Sequence, residues 1–260
     1  MPGVAVTVSG RPEGLQALLE VGGVVRCRVL GRVNRFVVRV EAGGEVAEAH
    51  INNTGRLAGV LEPGRSGYCL SRSGGRTRFR LVAVECPGYG RAALVDTMLQ
   101  MRALEAAADM GLLPWLRGCR LGRRNVRVHG SVLDYLYNCP QGDVYVEVKS
   151  AVLRLPGDVA AYPDPASRRG RRHIAVLARL AREGHRALIV FIAGIPGAKG
   201  FTINARADPQ LPRLLAEAVA AGVEARAVAM SFEPRSGTGV VVLENPSLPI
   251  HIPGRDEGRC

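Results

Sequence analysis

An acidic residue and a lysine stand two positions apart in VYVEVKSAV, residues 144–152, whose alternating apolar and polar side chains predict a β-strand. Successive side chains on a strand point to opposite faces, so Glu147 and Lys149 leave from the same face. Among 35 basic residues, only Lys149 and Lys199 are lysines. A lysine can lose its proton in a suitable site, whereas an arginine stays protonated. The pair therefore indicates either a chemical site or a plain ion pair between strand neighbours.

A second carboxylate is predicted to face Glu147 across a hairpin. VRVHGSVLDYLY and VYVEVKSAV read as two strands, and NCPQGD reads as the turn between them. A turn centred just after Pro140 sets Asp134 opposite Glu147. Opposed residues on antiparallel strands project to one face, with Cβ atoms about 4.5–5.5 Å apart. Two carboxylates and a lysine are thus expected to converge.

Carboxylates placed this close repel each other unless a cation lies between them. Hard oxygen ligands suit Mg²⁺ or Mn²⁺, which keep several waters and bind phosphate. Lys149 would orient or deprotonate an attacking water, or neutralise charge that develops on the phosphate. We therefore predict a nuclease site with Asp134, Glu147 and Lys149 as catalytic residues. Asp134 and Glu147 would hold the Mg²⁺ or Mn²⁺ cofactor.

The charge of the chain is strongly basic, with a formal net charge of +12 over 260 residues, and both halves contribute to it. A basic globular surface attracts polyanions, of which nucleic acid is the commonest. Arginine-rich codon usage or a hot habitat explains the same composition about equally well. No apolar run approaches the roughly 20 residues that span a bilayer, and the N-terminus lacks a signal-peptide pattern. The cytoplasm is the expected location, and no membrane partner is expected.

From residue 21 to residue 86 the chain predicts short strands separated by turn residues, with no long helix. These segments are VVRCRVLGRV, FVVRVEAG, EVAEAHI, SGYCLSRS and TRFRLVAVEC. About five short strands at this spacing predict a small Greek-key barrel, with the OB-fold as the natural candidate.

Arginines alternate with other residues in RTRFR, so Arg76, Arg78 and Arg80 are expected on one face of the last of these strands. They form either a nucleic-acid-binding stripe that contacts phosphates or a solvated outer face. Aromatic residues for base stacking are few in this half, which argues against a strong single-strand binder.

The second half alternates helices with strands. Residues 96–112 predict a helix capped by Asp96 or Thr97 and ended by Gly111, and further helices are predicted at about 168–183 and 210–221. Apolar strands lie between and after them, namely ALIVFIAG, EARAVAMSF and GVVVLE. Together with the hairpin, this order predicts a mixed sheet covered by helices.

The fold class is therefore α/β (α+β mixed), with an OB-like β-barrel followed by a mixed-sheet α/β domain. The composition shifts at Pro87-Gly88-Tyr89-Gly90. We predict one domain at residues 1–88 and a second at residues 89–260.

Cations crowd the start of the predicted helix at about 168–183, where SRRGRRH places Arg168, Arg169, Arg171 and Arg172 before His173. A helix N-terminus favours anions, so a bound phosphate would stabilise this cluster. We predict that the four arginines bind nucleic acid; the alternative is that they pair with nearby acidic residues. His173 would serve the site or be a hydrogen-bonded structural residue.

The six cysteines form no C-x-x-C pair, and the histidines show no metal-ligand spacing, so a zinc site is not expected. Most of the cysteines are expected to be small buried apolar residues. A disulfide between distant ones cannot be assigned from the sequence.

An Asp followed by Glu-x-Lys across a hairpin, after a helix, resembles the PD-(D/E)XK nuclease superfamily. Over about residues 24–245 the chain also resembles the sugar fermentation stimulation protein A (SfsA) family in the order and spacing of its motifs. These motifs are GRVNRFVVRVE, NNTGRL, VDT, DYLY, YVEVKS, YPDPASRRGRRH, EGHRALIVFI and AVAAGVEARAVAM. The resemblance implies an N-terminal OB-like domain, a C-terminal nuclease-like domain, and DNA binding in a role described as regulatory for sugar metabolism genes.

Position by position, the resemblance assigns Asp134, Glu147 and Lys149 to the nuclease-like site. It adds Asp164, in the adjoining PD segment, as a metal ligand, although this residue would equally cap a turn. The chain departs from the family pattern at three positions. Arg168 replaces a glutamate, Met101 replaces an asparagine, and Ala106 replaces a glutamate that Glu105 adjoins.

The leading hypothesis is a two-domain protein that binds double-stranded DNA largely independently of sequence and hydrolyses phosphodiesters with a divalent metal. The first alternative is a non-catalytic DNA-binding regulator that retains a nuclease scaffold. The second is an RNA-binding OB protein with a structural C-terminal domain. The sequence leaves open whether the protein forms a homodimer.

Overall fold

The computed structural model describes residues 14–253 of the chain. Within them lie strands, three α-helices and a short 3-10 helix at Pro114–Leu116. The strands are β1 (Gln16–Gly22), β2 (Val24–Asn34), β3 (Val37–Ala42), β4 (Glu45–His50), β5 (Ser66–Ser71), β6 (Phe79–Glu85), β7 (Ala92–Leu94), β8 (Arg120–Val128), β9 (Ser131–Cys139), β10 (Gly142–Ala151), β11 (Leu153–Leu155), β12 (Val159–Tyr162), β13 (Arg186–Ala193), β14 (Gly200–Ile203), β15 (Glu224–Arg235), β16 (Thr238–Asn245) and β17 (Ile250–His251). The helices are α1 (Thr97–Asp109), α2 (Arg168–Arg182) and α3 (Leu211–Ala220).

The five strands β2 to β6 close into a barrel. Strand β2 pairs with β3 and β5, β3 pairs with β4, and β5 pairs with β6. A parallel pairing of β4 with β6 joins the two ends. Buried apolar side chains such as Val29, Val38 and Leu81 fill the interior. The predicted OB barrel is therefore confirmed.

The second half is built on a mixed sheet. Strands β10, β13 and β15 run parallel, while β9 and β8 continue the sheet beyond β10 in antiparallel pairs. Alternation along β13 divides the core, since Ile189 packs with residues of α2 and α3 and Val190 packs with residues of α1. Strand β7 pairs with both β6 and β15 and so links the barrel to this sheet. The predicted mixed sheet covered by helices is confirmed.

Helix α1 begins after Asp96, whose carboxylate accepts a hydrogen bond from the amide of Leu99, and Gly111 follows its end with a positive φ of 68°. Helix α2 begins after Ser167, whose hydroxyl accepts from the amide of Gly170 at 2.9 Å. Both helix starts agree with the predicted ones.

Several strands differ from the sequence prediction, since β1, β7, β11, β12, β14 and β17 were not predicted. VRVHGSVLDYLY, predicted as one strand, is broken into β8 and β9 at His129 and Gly130, whose φ angles are 46° and 70°. Positive φ at both central residues is the geometry of a tight hairpin turn. Strand β1, which was not predicted, pairs with β16 at the far end of the chain. The domain boundary near residue 88 stays a prediction.

A disulfide joins Cys119 to Cys139, whose Cα atoms are 4.1 Å apart. Cys27 and Cys69 are buried free thiols inside the barrel, as expected for small apolar residues. Cys260 lies outside the described residues. Between residues 14 and 253, no helix has the length and apolar character that a membrane crossing requires.

Candidate active site

Strands β9 and β10 bring Asp134 and Glu147 together as the hairpin register predicts. Asn138 faces Asp143 and Tyr135 faces Val146, so the register is the one that a turn centred after Pro140 imposes. One step beyond the last paired residues, Asp134 Oδ2 accepts a hydrogen bond from the amide of Val148 at 2.7 Å. This bond fixes the Asp134 carboxylate against the segment that carries Glu147.

The two oxygens of the Glu147 carboxylate differ in their surroundings. Oε1 accepts hydrogen bonds from Lys149 Nζ and from His173 Nδ1. Oε2 is buried and has no hydrogen-bond partner in the protein. Burial alone would raise the pKa of Glu147, but the hydrogen bond from His173 and the charge of Lys149 outweigh it and hold the pKa below its ordinary value. Glu147 is therefore a buried, ionised carboxylate with one oxygen left open.

The ionised Glu147 carboxylate also affects the pKa of its neighbour Asp134. Burial, followed by the nearby charge of Glu147, raises the pKa of Asp134 to about 6. A bound cation between the two groups would remove this repulsion. The open Oε2 of Glu147 together with the Asp134 carboxylate therefore fits a divalent cation that prefers hard oxygen ligands.

His173 comes to the site from helix α2, where its side chain is 5% exposed. Its Nε2 lies 3.4 Å from Nε of Arg169, which can only donate. Nε2 is then the acceptor of this bond, so Nδ1 is the ring nitrogen that donates to Glu147. His173 is thus a hydrogen-bonded residue that orients Glu147. From the sequence, His173 was expected either to serve the site or to be a hydrogen-bonded structural residue, and this contact combines the two roles.

Lys149 reaches Glu147 from two positions further along the same strand, and its side chain is 11% exposed. The next residue, Ser150, accepts a hydrogen bond at 3.1 Å from Asn53 of the barrel domain. The end of β10 that carries the lysine is thereby tied to the loop at residues 52–57.

The loop at residues 52–57 borders a cleft of about 210 Å³ between the two halves, which Ser150, Tyr162 and Ser167 also line. Its amides serve the protein itself, since that of Gly55 donates to Asn53 Oδ1 and that of Leu57 donates to Asp164. The loop is therefore a contact between the domains.

Asp164 is not brought to the other carboxylates. It accepts the hydrogen bond from Leu57 on the barrel side of the cleft. In residues 14–253 no three acidic, histidine or cysteine side chains converge as a ready metal cluster. The barrel loop thus holds Asp164 in this structure, and the metal set of Asp134, Glu147 and Asp164 stays a prediction.

The arginines at the start of α2 divide into two kinds. Arg171 pairs at 2.7 Å with Asp208, whose side chain is only 2% exposed. Arg168, Arg169 and Arg172 are exposed, and no carboxylate lies within ion-pair distance of them among the described residues. These three can bind an external anion, whereas Arg171 forms an ion pair within the fold.

The arginines of RTRFR do not form a stripe on one strand face. Strand β6 starts only at Phe79, so Arg76 and Arg78 lie in the loop before it, and Arg78 pairs with Glu45. The guanidinium of Arg80 lies 3.0 Å from the buried carboxylate of Asp96. The alternation was misleading because the turn at Gly74 and Gly75 extends further than the sequence indicated.

Helix α1 contributes no carboxylate to the site. Glu105, next to Ala106, is held by Arg124 of β8 through two hydrogen bonds of 2.8 and 2.6 Å. Met101 accepts a hydrogen bond at its carbonyl from Tyr135. The departures from the family pattern in this helix thus leave Asp134 and Glu147 without a third acidic neighbour from α1.

Comparison with known proteins agrees with the motifs. The family model described as the SfsA N-terminal OB domain matches residues 30–95, and the one described as the sugar fermentation stimulation protein RE domain matches residues 98–236. The sugar fermentation stimulation protein homolog of Pyrococcus furiosus is 47% identical over 216 residues, which cover 83% of this chain and 93% of that protein. The homolog of Archaeoglobus fulgidus is 42% identical over 235 residues, covering 90% and 99%.

A solved structure shows the same fold. The structure of Pyrococcus furiosus SfsA in complex with Ca²⁺ superposes with a TM-score of 0.85 at 44% identity, covering 91% of this chain and 100% of that one. With family models across both halves and relatives this similar over most of their length, the chain belongs to the sugar fermentation stimulation protein (SfsA) family.

Proposed function

We propose that this protein is a divalent-metal-dependent nuclease that binds double-stranded DNA and hydrolyses its phosphodiester bonds. The observation that carries the proposal is the pair of carboxylates on β9 and β10. Glu147 presents a buried oxygen without a partner, and Asp134 lies close enough for the charge of Glu147 to raise its pKa. Burying a carboxylate oxygen without a hydrogen bond, beside a second carboxylate, lowers the stability of the fold. Such groups with a shifted pKa are typical of functional sites.

Asp134 and Glu147 would hold Mg²⁺ or Mn²⁺, because both ions prefer carboxylate oxygens. A relative that is 44% identical has been solved with Ca²⁺, another cation with hard oxygen ligands, which supports a divalent site in the family. When bound, such an ion polarises a phosphoryl oxygen and makes a water more acidic. Asp164 would contribute only if the loop at residues 52–57 released it.

Lys149 is the chain's own group for handling the attacking water and the charge on the phosphate. Its ammonium is held beside Glu147, so its position is fixed before substrate arrives. From there the ammonium orients the water or neutralises the negative charge that grows on the phosphate oxygens, whereas deprotonating the water would require the neutral amine form of Lys149. His173 keeps the Glu147 carboxylate in one orientation and thereby acts as a positioning residue.

The free arginines at the start of α2 would bind phosphate groups of the DNA. Arg169 adjoins His173 and hence the carboxylates, so a strand held there would pass the site. Contacts between arginine and phosphate carry no base information, and binding is therefore expected to depend little on sequence and strongly on salt. A homodimer would allow two such surfaces to act on one duplex.

A second candidate is a DNA-binding regulator without catalytic turnover. It is favoured by helix α1, in which Glu105 is engaged with Arg124 and so leaves the site with two carboxylates. The two candidates share the DNA surface and differ only in hydrolysis.

Incubation of labelled single- and double-stranded DNA and RNA with Mg²⁺, Mn²⁺ or EDTA tests the proposal. We expect cleavage of duplex DNA with Mg²⁺ or Mn²⁺, none with EDTA, and none in the Glu147→Gln variant. Binding of duplex without cleavage under any metal would leave the regulator, and preferential binding of RNA would overturn both candidates.

A further inference from the structure

A pocket of about 460 Å³ opens beside the carboxylates, between the β8–β9 turn and helix α2. Its volume lies within the range of small-molecule sites. The turn contributes His129 and Ser131, and the helix contributes Arg172 and His173. Because sequence reasoning merged β8 and β9 into one strand, this turn and its pocket were not anticipated.

Positive charge gathers in the pocket from two separate elements. Arg127 comes from β8, whereas Arg169 and Arg172 come from α2. All three are exposed, and within residues 14–253 none has a carboxylate at ion-pair distance. His129 is already engaged, since its Nε2 lies 2.8 Å from Glu183. None of the three guanidinium groups has an acidic partner among the described residues, although Arg169 donates a hydrogen bond to His173, and their positive charges repel each other unless an anion binds there.

An unpartnered hydroxyl lies in the wall of the same pocket. Ser131 is 8% exposed, and its Oγ is buried without a hydrogen-bond partner in the protein. A buried serine hydroxyl almost always has a partner, because leaving one unmade is costly. A ligand oxygen that enters the pocket would satisfy it.

The pocket adjoins the proposed cleavage site through two residues. His173 lines the pocket and donates to Glu147. Val132 also lines it and stands two positions before Asp134 on β9. An anion bound in the pocket therefore lies next to the two carboxylates.

We propose that this pocket binds a phosphomonoester, with Arg127, Arg169, Arg172 and Ser131 as its ligands. A monoester carries close to two negative charges at neutral pH and presents three free oxygens, whereas a backbone diester carries one charge and presents two. Three guanidinium groups and a hydroxyl match the monoester. If the proposed nuclease function holds, on which this identification of the source rests, the group is the terminal phosphate of a DNA strand. A free mononucleotide has the same chemistry.

The test measures binding in EDTA, so that it does not depend on cleavage. Four probes are titrated at constant ionic strength: inorganic phosphate, a mononucleotide, and one DNA duplex with either phosphorylated or hydroxyl ends. We expect the phosphorylated duplex to bind about tenfold more tightly than its hydroxyl counterpart, the effect of one or two charge-assisted hydrogen bonds. Tight binding of the mononucleotide with no end preference on the duplex would assign the pocket to free nucleotides.

Arg127→Ala and Ser131→Ala should each abolish the preference for phosphorylated ends. Arg123→Ala, on the same strand but outside the pocket, is the matched control and should retain it. Ser131→Ala removes an unpartnered hydroxyl and should melt no lower than the wild type, so folding does not confound the result. Equal affinity for both duplexes, together with no binding of phosphate or mononucleotide, would overturn the proposal. Metal-dependent cleavage can persist in that case, so the phosphomonoester pocket can be disproved without disproving the nuclease function.

Discussion

Glu147 and His173 are joined by a hydrogen bond from Nδ1 to Oε1, which ties strand β10 to helix α2 in the interior of the second domain. The same oxygen accepts from Lys149, so one carboxylate oxygen is fully used and the other is left open. The open oxygen is thereby held in one orientation beside Asp134. The proposed cation site rests on this division of the carboxylate between a hydrogen-bonded oxygen and one without a partner.

Lys149→Arg should separate the catalytic role of the lysine from its charge. The guanidinium keeps the ion pair with Glu147 but stays protonated and is larger than an ammonium. If Lys149 transfers a proton or positions water, cleavage should fall by about 10²–10⁴-fold while affinity for duplex DNA stays near that of the wild type. Single-turnover cleavage and duplex binding in EDTA measure the two quantities.

The other lysine provides the matched control. Lys199 pairs with Asp158 at 3.1 Å, and its side chain is 75% exposed. Lys199→Arg should cleave and bind as the wild type does. A Lys149→Arg protein with full activity would reduce Lys149 to half of an ion pair.

Asp134→Asn should remove the response of the protein to divalent metal. A ligand that binds only the folded state stabilises it by about 2.7 kcal/mol at a concentration 100 times its dissociation constant. We expect Mn²⁺ to raise the melting temperature of the wild type and to leave that of the variant unchanged. Without metal the variant should be at least as stable at pH 7 as the wild type, because it lacks the buried charge whose pKa is raised to about 6.

Asp143→Asn is the control for this comparison, since Asp143 is exposed on the same hairpin and accepts a hydrogen bond from Asn138 at 2.7 Å. It should keep the metal-induced rise. An equal rise in the Asp134 variant would place the metal elsewhere.

The Cys119–Cys139 disulfide should contribute to stability through the unfolded state. It closes a loop across a sequence separation of 20 residues, for which the chain-entropy model gives about 3 kcal/mol. Cys119→Ser should lower the free energy of unfolding by that order, and a reductant should then have no further effect. Cys86→Ser, at a free thiol, is the control. Denaturant titration with and without reductant measures the difference, and an unchanged midpoint in Cys119→Ser would contradict the bond.

Local features of this fold could be predicted and its long-range contacts could not. The position of the β9–β10 turn and the alternation around it are local, so they fixed the approach of Asp134 to Glu147. The break has positive φ at His129 and Gly130, and a glycine inside a strand pattern is a local turn signal that the prediction of one continuous strand overlooked. The turn beside Arg127 and Ser131 was therefore missed.

The remaining differences between prediction and structure concern residues whose contacts are with parts of the chain distant in sequence. Asp164 is held by an amide of the barrel loop, and Arg80 lies against the buried Asp96. Neither contact leaves a trace in the spacing of nearby residues. Strand β1 was missed for the same reason, because its partner β16 lies at the other end of the chain.

Replacing Arg169 and Arg172 together by alanine should weaken duplex binding equally for all sequences. Both are exposed and have no acidic partner among the described residues, so each is expected to meet one phosphate and release its counterions. The slope of log affinity against log salt should become shallower by about two units, one for each lost contact. Affinity measured over a range of salt concentrations on two unrelated duplexes gives both quantities.

Arg171→Ala tests whether the loss of DNA affinity comes from the exposed arginines alone or from any positive charge at the start of helix α2. Because Arg171 is paired with the buried Asp208, its loss should leave the salt slope nearly unchanged and should lower the free energy of unfolding by about 1.5–3 kcal/mol, the range for a hydrogen bond to a charged group. An unchanged slope in the Arg169, Arg172 double variant, or an equal loss of slope in Arg171→Ala, would remove the start of helix α2 from the DNA interface. A shallower salt slope in the Arg169, Arg172 double variant and an unchanged slope in Arg171→Ala would place the duplex against helix α2. This helix also carries His173, so the duplex would then lie beside the carboxylates of the proposed cleavage site.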